Sequence, residues 1–306
     1  MIAKELSQSF YQLPEAWDRF WFRAAPTRRA SVLRVAVGAV AAIHFLSFFA
    51  WVPQWLCGDG WFDLETGRYL IGVGLPDTGS QYRWSPLFVA TQPWAGYMVC
   101  ALGLLASIVA VLGIGARLAP LVAWLCMLTI QHRAPWLSMP GEILLTAGLF
   151  YLLIDTGRTT WTVRPGFDDS TERISANLAV RCGQVHLLMW LVFSAISMFQ
   201  YNVWWNGSAV SVLSEQINGW LGEISSDSHF GQFCTMAIPG LQLAGAFFLA
   251  RRSTIALGLV CLATFATAVA LLAGDWLYSL ALIAMGTVFI SAPSSTPCST
   301  AERTST

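Results

Sequence analysis

Eight stretches of mainly apolar residues, most of them close to 20 residues long, are the feature that most limits how this chain can fold. A helix rises 1.5 Å per residue, so about 20 residues cross the hydrocarbon core of a bilayer. Short turns such as "GIGAR" separate neighbouring stretches. They cover residues 31–53, 95–115, 117–132, 139–156, 178–201, 232–250, 253–273 and 275–292. The pattern predicts an all-α integral membrane protein, a polytopic bundle of about eight transmembrane helices.

The composition supports this class. The chain is 56% hydrophobic and only 11% charged, which leaves too little polar surface for a soluble globule. The seven cysteines show no CxxC spacing and the four histidines form no metal-ligand pattern, so we predict neither disulfides nor a metal site. The formal net charge is zero, so no nucleic-acid partner is expected. The expected partners are membrane lipid and another membrane protein.

The positive charges are distributed unevenly along the eight-helix arrangement. Of the 17 lysines and arginines, Arg68, Arg83 and Arg133 lie on one side and the other 14 lie on the opposite side. Basic residues near helix ends favour the cytoplasmic side. The sequence therefore predicts a multi-pass protein of the plasma or inner membrane with both termini in the cytoplasm.

The segment before the first apolar stretch has the pattern of an amphipathic helix. Its apolar residues recur at helical spacing: Phe10, Leu13, Trp17, Phe20 and Trp21. Such a helix lies at the membrane surface, against anionic lipid. We therefore divide the chain into a cytoplasmic amphipathic segment at 1–27, a transmembrane domain at 28–292 and a disordered cytoplasmic tail at 293–306.

Three polar residues inside apolar stretches are candidates for function, because an ionisable or amide group in a membrane needs a partner or a task. His44 lies near the middle of the first stretch, and Gln184 and His186 lie in the fifth. One interpretation is that each is hydrogen-bonded to a neighbouring carbonyl or hydroxyl group. The other is that they contribute to a site.

A second group of candidates comes from the two polar stretches "QHRAPWLSMPGE" and "FQYNVWWNGSAV" on the predicted outer side. We refer to six of these residues as the outer polar cluster: His132, Arg133, Glu142, Trp204, Asn206 and Gly207. Helix capping is one explanation, with Ser138 as a cap and Glu142 in the first turn. The other explanation is a single site where the two stretches meet. Asp275, before the last stretch, is predicted to be an N-cap.

Tryptophans are concentrated in the same outer connections. They are Trp55, Trp61, Trp84, Trp94, Trp136, Trp204, Trp205, Trp220 and Trp276. One interpretation is an aromatic belt at the level of the lipid head groups. The alternative is an apolar pocket roofed by the outer segments 54–94 and 202–231.

The order of several short motifs resembles a known family. An arginine-flanked "RRASVLRVAVGAV" is followed by "GDGW", "GIGAR", "QHR" with "GE", and "VRCGQVHLLMW" leading to "WWNG". This order, over roughly residues 28–292, is similar to the horizontally transferred transmembrane (HTTM) domain. That domain is the membrane module of the vitamin K-dependent gamma-carboxylase family.

The resemblance also implies that the catalytic base of the family is missing from this chain. Trp204 and Gly207 match the family's W-x-x-G element, and Gly141 with Glu142 stands where the family has G-D. Active carboxylases have a lysine base a few residues before that tryptophan. The corresponding window here is Ser197 to Phe199, and Lys4 is the single lysine of the chain. We therefore predict that the protein is not a gamma-glutamyl carboxylase.

Two functions from different classes follow. The first is a lipid- or quinone-binding or assembly protein, in which a quinone or other lipid takes the place of a cofactor. The second is a quinone-dependent membrane oxidoreductase or modifying enzyme, with His44, His132, Glu142 or His186 replacing the lost base. A transporter is less favoured, because the sequence shows no internal repeat and no matching pair of broken helices.

Overall fold

A computed structural model describes residues 14–61, 63–70, 84–155, 172–216 and 229–290. The helices of the first half are α1 (residues 14–22), α2 (Arg28–Phe48), α3 (Val52–Trp55), α4 (Leu64–Leu70), α5 (Pro93–Val111), α6 (Leu118–Arg133) and α7 (Pro140–Ile154). Those of the second half are α8 (Ile174–Met198), α9 (Asn202–Trp205), α10 (Ala209–Gln216), α11 (His229–Ala250), α12 (Ile255–Leu272) and α13 (Trp276–Gly286). Two short strands, β1 (Ala25–Pro26) and β2 (Glu172–Arg173), pair antiparallel.

Each of the eight predicted apolar stretches contains a helix. Among the described residues, five helical segments are long and apolar enough to cross a membrane: Arg28–Trp55, Pro93–Val111, Ile174–Met198, His229–Ala250 and Arg252–Leu272. Two shorter apolar helical segments cover Pro140–Ile154 and Trp276–Phe289. The helical class is therefore confirmed, and five helical segments have the length and composition that crossing a membrane requires.

Large apolar side chains cover the outside of these helices. Leu105 of α5 is 60% exposed, Phe193 of α8 is 61% exposed and Val260 of α12 is 61% exposed. In a membrane such side chains contact lipid tails, while each helix satisfies its own backbone hydrogen bonds. The surface thus agrees with a protein embedded in a bilayer.

Hydrogen bonds and strand pairing show which helix ends lie together. At one end, Arg34 near the start of α2 donates from Nη1 to the carbonyls of Ala110 and Val111 at the end of α5. Pairing of β1 with β2 places the start of α8 at this same end, which we call the Arg34 end. At the opposite end, the Arg133 end, Nη2 of Arg133 donates to the Cys57 carbonyl over 2.9 Å.

Helices α7 and α13 pack unusually closely at the Arg133 end. A Cβ atom on Gly141 would lie 2.7 Å from the backbone nitrogen of Tyr278, inside the normal contact distance. Asp275 caps α13, since its Oδ1 accepts a hydrogen bond from the Tyr278 N–H at 2.9 Å, as predicted. The predicted cap at Ser138 is wrong: a 3-10 turn precedes α7, whose N-cap is Met139 without a side-chain cap.

Helix α1 rests against α8 at the Arg34 end. The Asn177 amide of α8 donates to the carbonyls of Phe20 and Trp21, both over 3.0 Å. Trp17, in contrast, is 61% exposed, as expected for a helix at a membrane surface. The part of the predicted amphipathic segment before residue 14, and the predicted tail at 293–306, lie outside the described residues.

Candidate functional site

A cavity of about 780 Å³ runs along one face of α8. It is lined by α8 residues from Cys182 to Met198, and it continues to Tyr201 and Trp204 beyond the helix. Trp21 of α1 and Tyr151 of α7 also contribute to its walls. At 1.5 Å per residue, the α8 part alone is about 24 Å long. The cavity is therefore an elongated groove that follows most of a membrane-spanning helix.

The groove is apolar and faces the lipid side of the bundle. Met189 and Phe193 line it, and they are 52% and 61% exposed on the outer surface. Among the described residues that line it, none is Asp, Glu, Lys or Arg. An uncharged groove open at the side of a bundle suits a long apolar molecule that enters from the bilayer.

A histidine and a tyrosine form a pair in the wall of the groove. The Tyr151 hydroxyl and Nδ1 of His186 lie 2.6 Å apart, within hydrogen-bonding distance, and both residues line the groove. The ring centroids are 5.7 Å apart at 75° between planes. Because both groups can donate and accept protons, this pair is the part of the groove best suited to a carbonyl or hydroxyl group of a ligand.

One turn further along α8, a chain of hydrogen bonds links three helices. Trp190 Nε1 donates to the Tyr278 hydroxyl of α13 over 2.8 Å, and Tyr278 also bonds the Ser194 side chain. Gln242 of α11 donates from Nε2 to Ser194 Oγ over 3.1 Å. The rings of His186 and Trp190 are 6.2 Å apart. We call Trp190, Tyr278, Ser194 and Gln242 the Trp190 network. Its hydrogen bonds fix the wall of the groove beside the His186–Tyr151 pair.

No family model, curated protein or solved structure matches this chain. The described residues also contain no group of three or more His, Cys, Asp or Glu residues that could hold a metal ion. The groove and its hydrogen-bonding groups are therefore the features of the described residues that bear on function.

His132 and Arg133, at the end of α6, bond the connecting segments at the Arg133 end of the bundle. His132 Nδ1 lies 2.9 Å from the Trp84 carbonyl. Arg133 is fully buried, bonds the Cys57 carbonyl and lies over the Phe88 ring at 5.9 Å. These contacts join α6 to the segments after α2 and before α5.

Glu142 lies in the first turn of α7, half-buried. Oε2 of its carboxylate is buried and has no hydrogen-bond partner among the described residues. Asp275 is close enough to act on it electrostatically. A carboxylate in the first turn of a helix suits the positive end of the helix dipole, as the capping interpretation expects.

The "WWNG" part of the outer polar cluster forms a turn against α11. Asn206 Oδ1 accepts from the backbone N–H of Ser208 at 3.0 Å and from its hydroxyl at 2.6 Å. Gly207 has a φ of +77°, a conformation that favours glycine, and its carbonyl accepts from Thr235 Oγ1 at 3.0 Å. Trp204 differs from both, because it lines the groove.

The six residues of the outer polar cluster thus have different neighbours. His132 and Arg133 bond connections at the Arg133 end, Glu142 lies in the first turn of its own helix, and Asn206 and Gly207 form a turn on α11. Trp204 is the member that the structure brings to the groove. Joint action of the six as one site stays a prediction.

The three polar candidates from the apolar stretches also have different surroundings. His44 is only 4% exposed beside Phe45 and Phe48, and its Nε2 has no hydrogen-bond partner among the described residues. Gln184 donates to the Val288 carbonyl and accepts from Arg181, both over 2.9 Å, which joins α8 to the segment after α13. His186 lines the groove.

The outer tryptophans are mostly exposed. Those exposed by 61% or more are Trp61, Trp84, Trp94, Trp205 and Trp276. Such exposure is typical of an aromatic belt. Trp204 lines the groove instead, and Trp220 lies outside the described residues. The groove that Trp204 lines runs along α8, so a pocket roofed by segments 54–94 and 202–231 stays a prediction.

Sequence reasoning did not find Tyr151, Trp190, Ser194, Gln242 or Tyr278. One signal was present, since Gln242 is an amide within a long apolar stretch, and such a group needs a partner. Its partner could not be read from the sequence, because Ser194 lies 48 residues away on another helix.

Proposed function

We propose that this protein binds a lipid-soluble molecule of the quinone type, with a long apolar chain and a neutral head group, in the groove along α8. The observation that carries the proposal is the His186–Tyr151 pair in the wall of an otherwise apolar, uncharged groove. Binding is the primary function, as a lipid- or quinone-binding or assembly protein.

The length of the groove suits the long apolar chain of such a ligand. Its α8 part is about 24 Å long, which is most of the roughly 30 Å of a bilayer core. The exposed side chains of Met189 and Phe193 form its lateral rim. A ligand dissolved in the bilayer can therefore enter sideways and keep its chain in contact with apolar side chains throughout.

The chemistry of the wall supports a neutral head group. The described residues of the lining include no charged side chain, so a phosphate placed beside them would lack a counter-charge, at a large cost in desolvation. A quinone carbonyl can accept a hydrogen bond from an imidazole or phenol group, and a hydroquinone hydroxyl can donate one. The Trp190 ring, next to His186, offers a flat apolar surface for a ring to stack on.

We also propose that the chain is a relative of the HTTM domain proteins that lacks the carboxylase base. The window at which the resemblance expects that base contains Ser197 and Met198, and both line the groove. A side chain at this window would therefore reach a bound ligand. A serine hydroxyl and a thioether cannot deprotonate a hydroquinone near neutral pH.

The second candidate function is a quinone-dependent oxidoreductase or modifying enzyme. The His186–Tyr151 pair favours it, because an imidazole hydrogen-bonded to a phenol can hold or move a proton at the groove. In that case the imidazole would accept the proton that a bound hydroquinone loses.

We test ligand binding with His186→Phe and Tyr151→Phe, each of which removes one member of the pair. A polyprenyl benzoquinone titrated into purified protein in detergent should quench tryptophan fluorescence, since Trp21, Trp190 and Trp204 line the groove. Losing a buried hydrogen bond costs about 1–2 kcal/mol, so each variant should bind about tenfold more weakly.

His229→Phe is the matched control, because His229 is exposed at the start of α11 and should leave binding unchanged. His132→Phe tests the outer polar cluster separately. Wild-type affinity in both His186→Phe and Tyr151→Phe would overturn the proposed site. Equal weakening by His132→Phe would move the site to the outer polar cluster.

We further propose that all eight apolar helices cross the membrane, with the Arg34 end and both termini on the cytoplasmic side. The starts of α2 and α8 lie at the same end, which requires an even number of crossings between them. The helices α2, α5, α6 and α7 supply four. Positive charge is concentrated at the Arg34 end, which favours the cytoplasmic side.

Cysteine labelling tests this topology. The native Cys57 is a poor reporter, because it is 1% exposed and burial raises the pKa of its thiol, while the thiolate is the reactive form. We use Asp59→Cys and Arg117→Cys, since both positions are exposed and lie at opposite ends. An impermeant maleimide on intact cells should label Asp59→Cys above the wild-type background. Arg117→Cys should react after permeabilisation; the reverse result would invert the topology.

A further inference from the structure

We infer that the Arg34 end binds the phosphate head group of an anionic phospholipid between Arg29, Arg181 and Arg252. This site is separate from the uncharged groove, although it lies beside the groove's end at Cys182. The inference is independent of the quinone-type ligand proposed above.

Three different elements bring these arginines together. Arg181 belongs to the first part of α8, Arg29 to the start of α2 and Arg252 to the turn between α11 and α12. Both α2 and α11 pack against α8. The charged groups that act most strongly on Arg181 are Arg252 and Arg29, and both repel it.

Asp155, a buried carboxylate at this end, interacts with residues other than the three arginines. Asp155, at the end of α7, acts electrostatically on Arg34 and accepts a hydrogen bond from Ser175 at 3.4 Å. An anion beside Arg181 would offset the repulsion that Arg29 and Arg252 exert on it. Basic pockets between helices at the cytoplasmic face are typical sites for anionic lipid head groups.

Two neighbours hold the Arg181 side chain in one orientation. Its guanidinium lies 4.4 Å from the Phe20 ring centroid, at the junction of α1 and α8. Its Nη1 donates to the Gln184 amide oxygen over 2.9 Å. The other terminal nitrogen, Nη2, makes no hydrogen bond to the described residues, and phosphate oxygens accept from such a donor.

The occupant is a lipid rather than free phosphate, because apolar surface lies next to the charges. Trp17 and Phe22 of α1 are 61% and 52% exposed, on a helix that the predicted topology places at the membrane surface. Acyl chains can cover these rings while the head group bonds the arginines. A free anion would leave them exposed.

The test is native mass spectrometry of the full-length protein in detergent with added phosphatidylglycerol or phosphatidylcholine. Wild-type protein should retain phosphatidylglycerol in preference. Each arginine near a head group is worth about fivefold in affinity, so Arg29→Gln/Arg252→Gln should bind phosphatidylglycerol about 25-fold more weakly. Arg181→Gln should bind phosphatidylglycerol about fivefold more weakly. If Arg181→Gln does not fold, the double variant still tests the site, since Arg252 is exposed.

Arg117→Gln is the matched control, because it removes the same charge from an exposed position at the Arg34 end, in the turn before α6. It should stay within about twofold of wild type. Equal retention of the two lipids, or an equal loss in Arg117→Gln, would overturn the site. Displacement of the lipid by millimolar inorganic phosphate would show a site for free anions, which also contradicts the inference. Weaker phosphatidylglycerol binding in the double variant but not in Arg117→Gln, with benzoquinone binding unchanged in both, would support the inference.

Discussion

Gly141→Ala is expected to destabilise the protein by about 2–3 kcal/mol. The added methyl group would lie 2.7 Å from the Tyr278 nitrogen, 2.9 Å from its Cα and 3.0 Å from the Leu277 carbonyl carbon, all of them backbone atoms. Backbone atoms cannot rotate away as a side chain can, so α7 and α13 must separate. Thermal unfolding of purified protein should show a midpoint lower by about 5–10 °C.

Gly240→Ala is the matched control for this substitution. Gly240 lies within α11, and a Cβ there would meet no atom within 4 Å among the described residues. The same change should leave stability unchanged or raise it by about 0.5–1 kcal/mol, because alanine loses less backbone entropy in a helix. Equal midpoints for Gly141→Ala and Gly240→Ala would contradict the close approach of α7 and α13.

Tyr278 connects this packing contact to the groove. Its backbone contacts Gly141, and its hydroxyl accepts from Trp190 in the groove wall. Separation of α7 from α13 would therefore disturb the Trp190 network. We expect the residual folded Gly141→Ala protein to bind the benzoquinone more weakly than Gly240→Ala does.

Purified protein supplied with reduced vitamin K is expected to form no vitamin K epoxide and to fix no labelled carbon dioxide into a glutamate peptide. The reaction needs a group that deprotonates the hydroquinone near neutral pH. A lysine in an apolar chamber can do so, because desolvation lowers its pKa. This chain has a single lysine, Lys4, and Ser197 and Met198 occupy the groove wall where the resemblance expects the base.

A boiled sample sets the background of this assay. Turnover above that background would contradict the prediction and would identify His186 as the first residue to replace, since it lines the groove. If His186→Phe abolished such turnover while His44→Phe did not, the protein would be an enzyme with a histidine base. Epoxide formation that survives both changes would require a base elsewhere.

The helical class and the positions of the helices were predictable from local sequence. A run of about 20 apolar residues must satisfy its backbone hydrogen bonds internally, and a helix does so with near neighbours along the chain. The cap at Asp275 was predictable for the same reason, since its partner Tyr278 is three residues away. The absence of a lysine from the window at Ser197 is likewise a property of the sequence alone.

The candidate site depended on contacts between distant segments. Tyr151 and His186 are 35 residues apart, and Trp190 and Tyr278 are 88 residues apart. Their meeting depends on how each helix is rotated about its axis. In a membrane protein the lipid-facing and buried faces are both apolar, so the hydrophobic pattern does not indicate that rotation.

The same limit explains why the outer polar stretches suggested one site. Their positions in the sequence placed them at one end of the bundle, but their partners were set by packing: Arg133 bonds a carbonyl 76 residues away, and Gly207 bonds Thr235 on α11. The sequence determined which segments are helical and which end each polar residue occupies, because local hydrogen bonding and hydropathy act along the chain. That Trp204 and His186 line one groove became apparent from the packing of the folded chain, because it depends on side chains from separate helices filling shared space.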